Sequence, residues 1–294
     1  MRVAGTGSPG STPDKLNQPR CLYFDASNAL YICDFANNRI QKWILGTPNG
    51  TTVAGNSSGT MGVDARGLDN PTDIAFDKFN NIYVADYNNH RVQRFAPNSL
   101  VGTTVAGIGT SGAQTHKVDL PTAVAVDNNL NLYVTENGNN RLVVWPPNAT
   151  NGTILINGAA GGTASGEITN PYSILLVNSA SNQIYLSDAS KDRVQLWTFG
   201  TALANRTYIT ANAVNMNTPR QILLDPYGNI YVADSARNRV VLFCLNSTTG
   251  FVVVGSGTSS TPTLSSPSGI AFDSNFNLYV ASTNGDEVLR YTRI

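Results

Sequence analysis

Short runs of apolar and β-branched residues alternate with polar turns along the whole chain. In residues 68–95 the first run alternates, with Ile74 and Phe76 on one face of an extended strand and Ala75 on the other. Polar segments at 77–81 and 87–90 separate it from apolar runs at 82–86 and 91–95, and a fourth run follows at 103–107. This pattern predicts four strands in an antiparallel sheet, and no stretch has the period and length of a helix.

The same unit occurs six times. A proline begins each copy, at intervals of 48 to 52 residues: Pro19, Pro71, Pro121, Pro171, Pro219 and Pro267. Five copies then carry an arginine and, four residues later, an aromatic residue: Arg39 and Trp43, Arg91 and Phe95, Arg141 and Trp145, Arg193 and Trp197, Arg239 and Phe243. A four-stranded sheet buries little by itself, so radial repetition must supply the core. We therefore predict an all-β, six-bladed β-propeller of four-stranded antiparallel blades.

The two ends of the chain predict how the ring closes. The sixth copy stops after three runs, and residues 2–7 resemble residues 104–109, which hold a fourth run. We expect the N-terminal strand to complete the last blade, which would leave no blade with an unpaired terminal edge. Residues 1–294 would then form a single domain.

Two stretches carry a resemblance to a known family. Residues 83–93, YVADYNNHRVQ, and residues 231–240, YVADSARNRV, closely resemble NHL repeats. The resemblance extends over essentially the whole chain. It implies a six-bladed propeller that serves mostly as an interaction platform; some NHL domains bind RNA, others bind proteins, and a related lyase is an enzyme. The family therefore leaves the function open.

Charge argues against some partners. The chain has 19 basic and 19 acidic residues, a net charge of zero, and only 13% charged residues. This balance makes nucleic acid or an anionic membrane an unexpected partner. No apolar run approaches the roughly 20 residues that span a bilayer. The first five residues lack the apolar region of a signal peptide, so a secreted protein would contain this chain as a fragment.

Six N-glycosylation sequons favour an extracellular or cell-surface location. They match the N-glycosylation pattern, although chance matches are an alternative in a chain rich in Asn, Ser and Thr. The acceptor residues are Asn49, Asn56, Asn148, Asn151, Asn205 and Asn246.

Three cysteines make no regular disulfide framework. Cys21 and Cys33 occupy matching positions of neighbouring strands, where other copies carry Ala, Ser or Gly. If those strands pair, the two sulfurs come within bonding reach. The alternative is two small buried thiols, and we expect Cys244 to be a buried free thiol.

Five copies share an acidic residue five positions before the arginine. A pair copied in five blades indicates a structural brace for the loop between the second and third strands, rather than a ring of ligand-binding charges. The sixth copy has Ser282 and Glu287 instead, so its loop must be held differently. The five pairs are Asp34/Arg39, Asp86/Arg91, Glu136/Arg141, Asp188/Arg193 and Asp234/Arg239.

No cofactor, metal or catalytic residue is predicted. His90 and His116 are the only histidines, too few for the histidine-rich zinc site of the related lyases. Asp73 is the only carboxylate at the start of any first strand, which is poor support for a calcium site. Two segments with GxGxxG spacing, 5–10 and 107–112, precede no helix and therefore do not predict a nucleotide site.

Residues that differ between equivalent copies are the candidate ligand-binding residues. Those that follow the starting proline should surround one mouth of the channel, and those in the loops between the second and third strands should ring the same face. Tyrosine and arginine with polar neighbours are typical of recognition surfaces, and ordinary loop variation is the alternative. The candidates are Arg20, Asp73, Tyr87, His90, Asn137, Tyr172, Lys191, Arg220, Gln221, Arg237 and Asn284.

We therefore expect a non-catalytic, extracellular binding or scaffold module that recognises a protein, peptide or glycan on this face. An RNA-binding domain and a metal-dependent hydrolase or lyase are the alternatives.

Overall fold

The structure is a computed structural model that describes residues 1–158, 168–177, 182–199, 215–247, 249–256 and 263–292, and the backbone of 205–208. The described residues form 24 strands, and the longest helical segments among them are single 3-10 turns. In chain order the strands are β1 Arg2–Ala4, β2 Pro19–Phe24, β3 Ala29–Asp34, β4 Arg39–Ile44, β5 Gly50–Gly55, β6 Pro71–Phe76, β7 Ile82–Asp86, β8 Arg91–Phe95, β9 Gly102–Ala106, β10 Pro121–Val126, β11 Leu132–Glu136, β12 Arg141–Trp145, β13 Thr153–Asn157, β14 Pro171–Leu176, β15 Gln183–Asp188, β16 Arg193–Thr198, β17 Asn205–Tyr208, β18 Pro219–Leu224, β19 Ile230–Asp234, β20 Arg239–Phe243, β21 Gly250–Gly255, β22 Pro267–Phe272, β23 Leu278–Ser282 and β24 Glu287–Tyr291.

These strands form six antiparallel sheets of four, as the repeat predicts. Five blades use consecutive strands, β2–β5, β6–β9, β10–β13, β14–β17 and β18–β21. The sixth has the order β1-β24-β23-β22, so the N-terminal strand completes the last blade. The predicted six-bladed propeller and its closure are both confirmed.

The starting proline of each copy begins the innermost strand. In the second blade Pro71 lies opposite Asp86, and Asp86 lies opposite Arg91 on the next strand. The register shifts between Pro71 and Ile74. Proline fits here because the first residue of an edge strand has no neighbour that needs its missing N–H. The innermost strands of adjacent blades contact one another around the axis, for example β2 with β6 and with β22.

The hydrophobic residues pack between blades rather than within them. Six clusters of buried residues each combine two adjacent blades. One cluster joins Tyr31 and Ile40 of the first blade to Leu68, Val84 and Phe95 of the second. Removing a blade would therefore expose two of these cores.

The acid–arginine pairs hold the linkers between blades. Arg39 donates Nε–H to Asp34 at 2.7 Å, and its other nitrogens donate to carbonyls of two linkers, including Ser11 and Ser57. Asp34 also accepts the backbone N–H of Asn17 at 2.7 Å. Both partners of this pair are buried. The pair thus fastens the connections that enter and leave the blade, which is consistent with the predicted structural role.

A second repeated contact joins each blade to the next. The residue before each arginine position has a positive φ, and its side chain accepts the N–H of the residue that precedes the next starting proline. Asn38 accepts from Asn70 at 2.9 Å, and Asn140 accepts from Asn170 at 2.8 Å. Asparagine and aspartate suit the left-handed backbone and supply the acceptor. The six acceptors are Asn38, His90, Asn140, Asp192, Asn238 and Asp286.

The exceptional sixth copy forms the seam of the ring. Glu287, which replaces arginine, pairs with Arg2 of the N-terminal strand, and Asp286 accepts the N–H of Gln18. Ser282, which replaces the acid, accepts the N–H of Ser265 at 3.0 Å. Gly5 directly follows β1 with φ +74°, and a Cβ there would lie 2.4 Å from the Asp286 carbonyl oxygen. The departures of this copy therefore serve the contact between the chain ends.

The cysteines are arranged partly as expected. Cys21 and Cys33 form a disulfide across β2 and β3, with Cα atoms 5.0 Å apart. The prediction for Cys244 was wrong, because it is exposed. It follows directly on the last residue of β20, where the chain leaves the sheet and turns.

We expect Arg39→Met to cost about 3–5 kcal/mol of unfolding free energy, because it would leave the Asp34 carboxylate buried without its cation. Lys42→Met is the matched control, since the Lys42–Asp25 pair is partly exposed and should cost at most about 1 kcal/mol. Urea denaturation of both variants measures the difference. Equal losses would show that the buried pair is no more important than the exposed one.

Candidate functional site

The two faces of the ring differ in their connections. We call the loop face the side that carries residues 35–38, 87–90, 137–140, 189–192, 235–238 and 283–286. We call the turn face the opposite side, which carries the turns at 25–29, 77–81, 127–131, 225–229 and 273–277. The innermost strands run from the loop face to the turn face. Residues that follow each starting proline therefore lie at the loop-face end of the channel.

The channel is almost closed near the loop face. Residues from several blades enclose a space of only about 10 Å³ on the axis. Arg20, Asp73, Tyr172 and Gln221, all candidates from the sequence, line it together. Ser268 and Thr122 close it further by donating hydroxyl hydrogen bonds to backbone carbonyls of the adjacent blades.

Two arginines and a tyrosine form a cluster at this end, which we call the arginine cluster: Arg20, Tyr172 and Arg220. The Arg20 guanidinium lies 3.3 Å above the centre of the Phe35 ring, and the Arg220 guanidinium lies 5.1 Å from the centre of the Tyr172 ring. Burial lowers the pKa of Arg20, Arg220 acts in the same direction, and Tyr172 and Tyr87 oppose it. The cluster therefore concentrates positive charge in a desolvated position.

The arginine cluster has unused hydrogen-bonding groups. Among the described residues, no partner reaches four of its buried atoms, Arg20 Nε, Tyr172 Oη, and Nε and Nη1 of Arg220. Neither arginine forms a salt bridge within the described part of the chain. Buried donors without acceptors are costly, and a charged acceptor satisfies them best. The cluster can therefore bind an anionic oxygen group.

Asp73 lies deeper in the channel. Burial raises its pKa to about 7, although the backbone N–H groups of Val124 and Ile74 donate to the carboxylate and favour its charged form. The bond from Val124 to Oδ2 is 3.0 Å long and links the second blade to the third. Asp73 is thus a carboxyl group that changes charge near neutral pH.

Gln221 serves the scaffold. Its Oε1 accepts the N–H of Ile270 at 2.9 Å, and its Nε2 donates to the Leu22 carbonyl at 3.2 Å. These bonds connect three blades across the channel. Little of its hydrogen-bonding capacity remains for a ligand.

The candidates in the loops occupy different surroundings. Tyr87 is half-buried beside Arg20. His90 Nδ1 accepts the N–H of Leu120 at 3.2 Å and lies 3.1 Å from Asp119, so this side chain is part of an inter-blade contact. The remaining four lie in other loops of the loop face: Asn137 and Lys191 are half-exposed, and Arg237 and Asn284 are exposed.

A much larger cavity on the axis opens on the turn face, where the sequence indicated no site. This cavity, which we call the bowl, has a volume of about 700 Å³. Its wall includes Tyr23, Phe76, Leu176, Leu223 and Phe272, and Asp73 reaches it from the floor. The available signal was the apolar second half of every first strand.

Two further findings concern metal-binding groups and membrane-spanning helices. In the described ranges no group of three or more His, Cys, Asp or Glu side chains is placed to hold a metal ion. No described helix is long and apolar enough to span a membrane.

The sequon residue Asn205 has a side chain outside the described residues, and the other five sequon asparagines are exposed: Asn49, Asn56, Asn148, Asn151 and Asn246.

Comparison with known proteins agrees with this architecture. The family model for the NHL repeat matches residues 16–43, 68–95 and 119–145. Comparison of the sequence with curated proteins gave no match.

Similar solved structures include both enzymes and binding proteins. A gluconolactonase from Xanthomonas campestris is 12% identical, with 94% of this chain and 86% of that chain covered and a TM-score of 0.67. A streptogramin B lyase is 14% identical over 97% and 95% of the two chains, with a TM-score of 0.62. An auxiliary nutrient binding protein from Bacteroides thetaiotaomicron is 15% identical over 98% and 74%, with a TM-score of 0.73. At such identities the likeness shows the fold alone.

Asp73→Asn should stabilise the protein increasingly as pH rises. A folded-state pKa of about 7, above the ordinary 3.8, means that stability is lost as pH rises between these values. At about 1.4 kcal/mol for each pH unit, the loss is at most about 4 kcal/mol. Asparagine can keep the bond from Val124 without ionising.

Urea denaturation at pH 5, 6, 7 and 8 measures this effect. Asp64→Asn, at an exposed aspartate, is the control and should show no such gain. A constant difference between Asp73→Asn and the unmodified chain across this range would contradict the prediction.

Proposed function

The chain is a six-bladed β-propeller with NHL repeats, and we propose that it is a non-catalytic binding module. Its loop face captures a protein, peptide or glycan ligand through a carboxylate that enters the arginine cluster. The observation that carries the proposal is the set of four buried polar atoms of Arg20, Tyr172 and Arg220 that lack partners among the described residues.

A carboxylate fits this cluster chemically. Guanidinium groups bind planar carboxylates with two parallel hydrogen bonds, and the Tyr172 hydroxyl can donate a further one. Two cations without a counter-ion are unfavourable in the free protein, and an anion relieves both their desolvation and their mutual repulsion. Tyr87, which lies beside Arg20, and the half-exposed residues Asn137 and Lys191 belong to loops of the same face and can contact the rest of a larger ligand.

Arg220→Gln should weaken binding of a carboxylate ligand by about 10- to 100-fold, the usual contribution of a charged hydrogen-bond donor. The same variant should be no less stable than the unmodified chain, because one of two adjacent cations is removed. Calorimetric titration with an oligoglutamate peptide and with an oligogalacturonate distinguishes a peptide from a glycan source.

Arg66→Gln, at an exposed arginine of a linker, is the matched control and should leave both affinities unchanged. Equal binding by the Arg220→Gln and Arg66→Gln variants would refute the role of the cluster. Binding of single-stranded RNA with a steep salt dependence, in place of either carboxylate ligand, would instead favour an RNA-binding domain.

The disulfide and the exposed sequons support an extracellular or cell-surface location for this module. Disulfides persist in oxidising compartments and are rare in the cytosol. Protein made through a eukaryotic secretory pathway should have one titratable thiol, Cys244, and should lose mass when N-glycans are removed. Three thiols and an unchanged mass would contradict the assignment.

A further inference from the structure

The bowl on the turn face is a second concave site, separate from the arginine cluster. Its volume of about 700 Å³ is in the range of cavities that hold small organic ligands. The narrow segment of the channel, with a free space of about 10 Å³, separates it from the loop face. A ligand in the bowl would therefore enter and leave through the turn face.

Apolar side chains form the wall and part of the rim. The stacked rings of Tyr23 and Phe76, with centres 4.4 Å apart, form one side, and Phe272 and Phe276 form another. Phe276 is 41% exposed although it is a large apolar residue. Aromatic surface exposed around a concave site is typical of ligand contact rather than of a solvated rim.

The ionisable groups of the bowl are all acidic. Asp73 lies at the floor, and Asp225 and Asp273 lie at the rim; no Lys, Arg or His occurs among the described residues that line it. The rim carboxylates are occupied by their own turns, since Asp225 accepts two backbone N–H groups and the side-chain amide of Asn229. Asp273 accepts the equivalent three bonds and a fourth from the Tyr279 hydroxyl.

Asp73 is the carboxylate with capacity for a ligand. It accepts two backbone N–H groups, from Val124 and Ile74, whereas a carboxylate offers about four acceptor positions. Ser173 and Gln221, the other polar residues of the floor, bond to backbone groups of adjacent blades. A ligand that fills the bowl therefore meets one free negative charge at the end of an apolar cavity.

We propose that the bowl binds a small hydrophobic amine, with its aromatic or alkyl body against the apolar wall and its protonated nitrogen on the Asp73 carboxylate. A cation is favoured because an acid in an apolar site gains most from an adjacent opposite charge. An anion would meet three carboxylates, and a neutral ligand would leave the negative charge of Asp73 without a counter-ion.

A series of three probes tests the assignment: 4-phenylbutylamine, the neutral alcohol 4-phenylbutanol and the carboxylate 4-phenylbutyrate. Calorimetric titration of the whole protein at pH 8 should give at least tenfold tighter binding of the amine than of either analogue. Asp73→Asn should reduce amine affinity to that of the alcohol and leave alcohol binding unchanged.

A second variant tests the apolar part of the bowl. Phe276 has φ +59°, and Asn80 occupies the equivalent turn position of the second blade with φ +62°, so Phe276→Asn suits the backbone. It should weaken the amine and the alcohol by the same factor, about threefold to tenfold. Arg220→Gln should leave amine binding unchanged, which separates this site from the loop face.

Three results would overturn the proposal. They are amine binding no tighter than that of the alcohol, a preference for the amine that survives Asp73→Asn, and amine affinity unaffected by Phe276→Asn. None of them bears on carboxylate binding by the arginine cluster, which the oligoglutamate and oligogalacturonate titrations measure separately.

Discussion

Burial of apolar residues between blades is the constraint on which the rest of this structure depends. Each of the six hydrophobic clusters draws its members from two adjacent sheets. A single blade therefore has two apolar faces and no core of its own, and it becomes stable only between neighbours. The ring must also close, because an open ring would leave one face uncovered at each end. The N-terminal strand meets this requirement by adding to the sheet of the last blade.

Polar contacts then fix how the blades meet. The buried carboxylate of Asp34 accepts hydrogen bonds from the Arg39 guanidinium and from a linker N–H. The Asn38 side chain accepts an N–H from the start of the next copy. The seam uses the same positions with different residues, since Glu287 pairs with Arg2 and Asp286 accepts the N–H of Gln18. The sixth copy departs from the others where the two ends of the chain must recognise each other.

The sequence predicted the architecture well because the features that define it recur in every copy. Regular spacing of Pro71 and its equivalents located the innermost strands, and the acid–arginine spacing located the linker contacts. The candidate site could be predicted from the sequence less completely. Arg20, Tyr172 and Arg220 were found as departures between copies, but the bonds of Gln221 to two other blades and of His90 to the next blade depend on contacts across the ring. The bowl was missed because one strand such as β6 contributes residues both to an inter-blade core and to the channel wall, and sequence alternation does not separate these two environments.

A propeller channel has two ends, and in this protein they differ in charge. The innermost strands begin with Arg20 and Arg220 at the loop face and end beside Asp225 and Asp273 at the turn face, with Asp73 between them. All six innermost strands run in the same direction. Residues at the start of these strands therefore lie at the loop-face mouth of the channel, and residues at their ends lie at the turn-face mouth. A chain with no net charge can thus present a cationic cluster on one face and an acidic, apolar cavity on the opposite face. The narrow segment of the channel lies between the two environments, so the cationic cluster would attract an anionic ligand and the acidic cavity a cationic one.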